Sequence, residues 1–289
     1  ASWRALLAST LGRRELSEYQ HNRAQSRGAH AAPQGYGPVR PVLVSQGKRK
    51  PKRSGGVWRV VFIISLIVFV CAAGALAFIG YGYWHGQQNN KQLEQIGFNA
   101  PDAAALQRMD LASFTVDWDA LRAINPDVVG WIYVPGTTVN FPIVHGTDDE
   151  HYLKTDFYGQ TSWVSFGSIF LSAANAADFS DANNIVYGHH MNDGSMFSPF
   201  ADFGDADTFN GHRTVYVFTP TANYQLTTFS IVHCAADDPL AQTAFASEQE
   251  RQAYVQDKVD RSVVSVAGLP SAADMKHTFA FSTCDNLAS

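Results

Sequence analysis

Two stretches of the chain carry residues that could do chemistry. In one, 184–191, the sequence NIVYGHHM runs from apolar residues through Gly188 into His189 and His190. In the other, 279–285, FAFSTCD brings an apolar run to Cys284 at its end. A cysteine acts as a nucleophile through its thiolate, and a neighbouring histidine is the usual means of raising the thiolate fraction. Read singly, each signal also has an ordinary structural account. A lone cysteine closing an apolar strand is often a core residue, and a histidine after a glycine often bonds the backbone of a loop. The remaining cysteines, Cys71 and Cys234, read as part of a long apolar run and as a structural residue within a hairpin strand. Three cysteines make no disulfide scaffold, although Cys234 and Cys284 could pair. His189, His190 and Cys284 lack the spacing of C-x-x-C or H-E-x-x-H, so no metal site is expected.

The elements that would position these residues are short. Alternating or continuous apolar runs bounded by turn residues predict strands over 130–134, 139–144, 167–172 and 184–187, with a last one over 277–283. A hairpin is predicted from 214–218 and 224–234 around the turn TPTAN. Helices are expected at WDALRAI, stopped by Asn125-Pro126, and over 245–264, where charges occupy the open face. Many short strands with few helices predict a mainly β fold with helices, a small closed barrel.

Charge divides the chain. Residues 1–59 hold 12 Lys and Arg against two acids, whereas the remainder holds nine bases against 24 acids. Between the halves lies VVFIISLIVFVCAAGALAFI, 60–79, without a charged residue. At about 1.5 Å per residue a helix of this length spans about 30 Å, the thickness of the hydrocarbon core of a bilayer. Bases crowd its N-terminal side, which predicts a cytoplasmic N-terminus, and Trp58, Tyr81, Tyr83 and Trp84 suit the two headgroup layers. A cleaved signal peptide is the competing reading; the long preceding segment and the length of the run favour an uncleaved anchor. The expected organisation is a disordered basic cytoplasmic tail (1–59), a transmembrane helix (60–83), an extracytoplasmic stalk (84–116) and a catalytic domain (117–289). A short helix over 2–19 is also expected. The basic patch is read as membrane-facing, with no nucleic-acid partner.

Taken together, GWIYVPGTTVNFPIV (130–144), NIVYGHHMNDGSMFSPF (184–200) and FSTCD (281–285) resemble the sortases, cysteine transpeptidases of the Gram-positive cell surface, and class B in particular. The resemblance covers about 117–289. It implies a sortase-like barrel behind an N-terminal transmembrane helix, with Cys284 as nucleophile and His189 as acid–base partner. Ser282 and Thr283 would contact substrate, and His190 would be a neighbour. It implies a secreted protein with a C-terminal sorting signal as donor, and a cell-wall precursor or pilin amine as acceptor. No cofactor is implied. Sortases also use an arginine on the strand after the cysteine; none of the five residues after Cys284 is basic, and Arg213 and Arg261 lie elsewhere in the pattern. The expectation is therefore a chain cut short at its C-terminus, with the last strand missing. The alternative is a membrane-anchored binding protein or pseudoenzyme without catalysis.

Overall fold

The computed structural model describes residues 55–98, 100–101, 111, 114–161, 167–234 and 242–283. Residues 1–54 of the expected tail, with the helix expected over 2–19, lie outside the described residues, as do Cys284 and Asp285. The first element is a long helix, α1 (Gly55–Gly97). Its large apolar side chains from Val57 to Ile79 are all exposed. A helix apolar on every side has no stable place in water, and by length and composition this one is able to cross a membrane.

Residues 72–283 contribute to a compact unit built on one sheet. Its seven strands are β1 (Val128–Tyr133), β2 (Asn140–His145), β3 (Ile169–Leu171), β4 (Asn183–Gly188), β5 (Thr214–Phe218), β6 (Asn223–Thr227) and β7 (Thr278–Thr283). They lie in the order β6-β5-β1-β2-β3-β4-β7, a mostly-sheet, curled half-barrel with helices around it. Neighbours run antiparallel except at β2–β3 and β4–β7, which are parallel.

As expected for a barrel whose last strand is missing, the hydrogen-bonded ladder among the described residues is open between β6 and β7. The two edges nevertheless face each other: Tyr224 of β6 stands 5.4 Å from the ring of Phe279 on β7 and 5.5 Å from His277. Side-chain rings, not backbone bonds, make that junction among the described residues.

Alternation along β1 explains why this strand reads as apolar throughout. Ile132 and Val134 join Val215, Val217 and Phe197 on the inner face, whereas Trp131 and Tyr133 join Tyr216 and Phe218 on the outer face. The outer face is covered by α2 (Trp118–Ile124), through Leu121, and by the end of α1, through Leu93 and the adjoining Phe98. Asp117 caps α2, its carboxylate accepting from the Ala120 N–H at 2.9 Å, and Asn125 ends it before Pro126.

Residues 84–97, within the segment expected as a partly helical stalk, continue α1 as helix, and Leu93, Phe98 and Phe114 are buried against the sheet. Two readings of the sequence are corrected here. The second arm of the hairpin stops at Thr227: Arg213 donates to the Thr228 carbonyl through Nε and Nη2, and the chain leaves the sheet there. Cys234 accordingly lies beyond the strand, half-buried in an extended segment.

Candidate active site

His189 follows β4, and the strand can end there only because residue 188 is a glycine. A Cβ at Gly188 would stand 2.5 Å from Ile169 Cδ1 and 2.6 Å from the ring of Phe197. Ile169 and Phe197 are buried in the inner core, so neither can give way cheaply. The imidazole itself is held by α3 (His151–Lys154), a single short turn. His189 Nε2 lies 2.6 Å from the Leu153 carbonyl oxygen. A carbonyl only accepts, so Nε2 carries the proton, and in the neutral ring Nδ1 is left as the basic nitrogen.

α3 is fixed in turn from below. Tyr152 is buried, and its hydroxyl donates to Asp127 Oδ2 at 2.7 Å. Burial, with the bond to Asp127 adding to it, pushes the Tyr152 phenol up to about 12, so it remains a donor at any physiological pH. The Tyr152 carbonyl accepts from Ser168 N–H at 2.9 Å. Between α3 and the imidazole runs Gly167, in the left-handed region at φ +46°, where a Cβ would fall 2.8 Å from the Leu153 carbonyl and 3.0 Å from His189 Cδ2.

The loop after His189 turns back on itself. Phe197 N–H donates to the His189 carbonyl at 3.0 Å, and His190 forms a β-bridge with Met196. Ser198 Oγ accepts from Met191 N–H at 2.6 Å and donates to the Met191 carbonyl at 2.7 Å. Met191, Met196, Phe197 and Phe200 are buried, which pins the loop to the inner core.

β7 arrives from the opposite end of the chain. Its register with β4 is continuous: Ile185 opposite Ala280, Tyr187 opposite Ser282, Gly188 opposite Thr283. The residue before His189 is thus paired with the residue before Cys284. Ser282 and Thr283 are half-buried, and Thr283 Oγ1 is buried with no hydrogen-bond partner among the described residues. Phe281 packs against Phe200 and Phe197, with ring centroids 5.6 and 6.1 Å apart.

After the short helices α4 (Ser198–Asp202) and α5 (Ala206–Gly211), the approach to β7 is clamped by α6 (Glu248–Asp260). Arg251, 5% exposed, donates Nη2 to the Ala272 carbonyl at 3.1 Å and Nη1 to the Met275 carbonyl, and pairs with Glu248 at 2.6 Å. Arg213 and Arg261 are engaged elsewhere, with the Thr228 carbonyl and with Asp257. Among the described residues, no three His, Cys, Asp or Glu side chains gather as a metal site would require.

Comparisons with known proteins agree with the fold. Sortase B of Listeria monocytogenes is 29% identical over 218 residues, covering 73% of this chain and 86% of that protein. A solved Staphylococcus aureus sortase B–substrate complex superposes with a TM-score of 0.59 at 26% identity, covering 70% of this chain and 89% of the other. In sequence and in fold the chain is similar to the class B sortases. Sortase B of S. aureus is 30% identical over 148 residues, which is 51% of this chain and 60% of that protein. No family model matches the chain. The sortase relationship supports a transpeptidase in general terms. Sequence reasoning missed Tyr152, Asp127, Gly167 and Arg251; none carries a motif, and each acts through a fold contact remote in sequence.

Proposed function

We propose that the chain is a membrane-anchored cysteine transpeptidase in which Cys284 is the nucleophile and His189 its acid–base partner. The observation that carries this reading is the parallel register of β4 and β7, with Gly188 opposite Thr283, so that each strand leads next to one of the two residues. The protonated Nε2 of His189, bonded to the Leu153 carbonyl, favours Nδ1 as the nitrogen that takes the thiol proton.

The thiolate attacks the carbonyl carbon of a residue in the sorting motif of a secreted protein. The C–N bond breaks as His189 returns its proton to the leaving amine, and a thioester on Cys284 remains. A cell-wall or pilin amine then attacks the thioester, His189 takes its proton, and the thiolate leaves. Ser282 and Thr283, beside the nucleophile in sequence and half-buried, are proposed to contact the donor peptide. The long apolar helix α1 supports anchoring, with the catalytic domain outside the cell.

The test is mass spectrometry of the full-length protein incubated with secreted proteins bearing candidate sorting signals. A thioester adduct on Cys284 is expected, released by hydroxylamine and absent from Cys284→Ala. An adduct persisting in Cys284→Ala would overturn the assignment. His189→Ala should form adduct at least 100-fold more slowly, in line with the loss of a positioned acid–base group.

A further inference from the structure

The register of β4 and β7 underlies the proposed site, yet the apolar pattern of β7 does not determine it. The strand reads TFAFST, and Phe279 and Phe281 pack side by side on the inner core with ring centroids 6.3 Å apart. A slip of two residues along β4 would put one phenylalanine where the other stands and keep every side chain on its own face. The opposite face of β7 offers Thr278, Ala280 and Ser282, small residues that fit one position as well as the next.

A polar pair at the far end of the two strands supplies what the pattern lacks. Asn183 and Thr278 stand directly opposite each other, 2% and 8% exposed. Thr278 Oγ1 donates to Asn183 Oδ1 at 2.8 Å, and Thr278 N–H donates to the Ala182 carbonyl at 2.9 Å. The rest of Asn183 is held from outside the pair. Its Nδ2 donates to the Gln242 carbonyl at 3.0 Å and to the Tyr254 hydroxyl of α6 at 3.2 Å, and its carbonyl accepts from Asn175 Nδ2 at 2.9 Å. A slip of two residues would bring Lys276 or Ala280 opposite Asn183 and take the Thr278 hydroxyl away from that buried oxygen.

We infer that the Asn183–Thr278 pair sets the register of β7 on β4, and that both are positioning residues for the nucleophile that follows β7. Selecting one pairing among apolar alternatives is the best-attested use of a buried polar group. Strands advance about 3.3 Å per residue, so a slip of two carries whatever follows Thr283 about 7 Å along β4. Misplacing a reacting group by about 1 Å can already cost about 100-fold in rate. The bearing on catalysis rests on the transpeptidase reading, while the register is measured without any activity.

Register is read by disulfide formation in the full-length protein in detergent, with Cys71, Cys234 and Cys284 changed to alanine and new cysteines placed in pairs. Tyr187→Cys with Ser282→Cys tests the native pairing. Tyr187→Cys with Ala280→Cys, and Ile185→Cys with Ser282→Cys, test a slip in either direction. Residues two positions out of register lie about 8 Å apart across the strands, beyond the roughly 7 Å that a disulfide can bridge. Only the native pair should close in the parent. Thr278→Val keeps the shape and removes the hydroxyl; it should raise the yield of a slipped pair about tenfold or more, as should Asn183→Ala, whereas Thr278→Ser should close the native pair alone. In chains with their natural cysteines, Thr278→Val should slow thioester formation on Cys284 about tenfold or more, and Thr278→Ser should return it to the parental rate. A native pair that still closes alone in both Thr278→Val and Asn183→Ala would overturn the register assignment, as would slipping in Thr278→Ser. Slipped pairs with undiminished thioester formation would overturn the positioning role. A chain that slips in Thr278→Val, but whose parent forms no thioester, would retain the register assignment and lose the transpeptidase reading.

Discussion

Tyr152 shows how a residue outside any motif positions the histidine proposed to do the chemistry. Its hydroxyl fixes α3 through Asp127, the next residue's carbonyl fixes the His189 tautomer, and its own carbonyl orders the start of the segment that passes beneath the imidazole. Tyr152→Phe removes the donor, and Asp127, which is exposed, regains water in its place. The expected loss is about 0.5–1.5 kcal/mol of stability by urea denaturation, the net worth of one hydrogen bond. Turnover should fall several-fold with KM for the donor little changed, because α3 loosens around the histidine and not around the substrate. A variant as stable and as active as the parent would show that α3 is held by its other contacts. Cys284 and His189 were legible at this scale only as a combination: either alone fits a core cysteine or a loop histidine, and their pairing emerged from the likeness to a family. Tyr152 was not legible, because a tyrosine in HYLK has no signal until the fold brings Asp127 to it from β1's N-terminal side.

At the scale of elements, α6 and β7 behave as a unit although 17 residues separate Asp260 from Thr278. Arg251 reaches the carbonyls before β7 while Glu248, one turn earlier in α6, holds its guanidinium from the solvent side. The Arg251 hydrogen bond, followed by that from Gln252, holds the Glu248 carboxyl at about 2, below its ordinary 4.5. A depressed carboxylate contributes stability that is whole above the unfolded value and is lost as pH falls through the folded one. The contribution should therefore be complete above pH 4.5 and fade between pH 4.5 and about 2. Glu248→Gln should lower the thermal midpoint at pH 7, and the gap from the parent should close as the pH is lowered to 2. A gap independent of pH would point to packing in place of charge. Strands were read well where local pattern decides them: the hairpin arm 214–218 matches β5 in both bounds. Pairing was not legible, since periodicity sets which face of β4 or β7 is apolar but not that the two strands lie side by side and parallel.

For the whole molecule, the decisive feature is where the folded unit begins. The polar run HGQQNNKQLEQIG read as a stalk because it lacks apolar density, yet its one leucine, Leu93, and the adjoining Phe98 carry the packing. Leu93 packs on the outer face of the sheet, and Phe98, 3% exposed, stands among rings 4.8 Å (Phe218), 5.8 Å (Tyr133) and 6.1 Å (Trp131) away. The polar side chains before them are not idle spacers: Gln87 and Asn89 bond Asp193 and Asp156 of the folded unit. The segment that leaves the apolar helix is thus a wall of the same structure that carries His189, so the fold should depend on it. Phe98→Ala should cost about 3–5 kcal/mol by denaturant unfolding, the range for an aromatic removed from a core, because Trp131 and Phe218 cannot collapse into the space together. Ile96, 39% exposed on the same helix, provides the comparison: Ile96→Ala should change stability by no more than about 0.5 kcal/mol. If both substitutions proved equally mild, 84–98 would be a spacer that only rests on the sheet. A large loss at Phe98 alone would mean that cutting away the long apolar helix together with this segment removes part of the folded unit's core, so that the start of a soluble fragment must lie before Gly86.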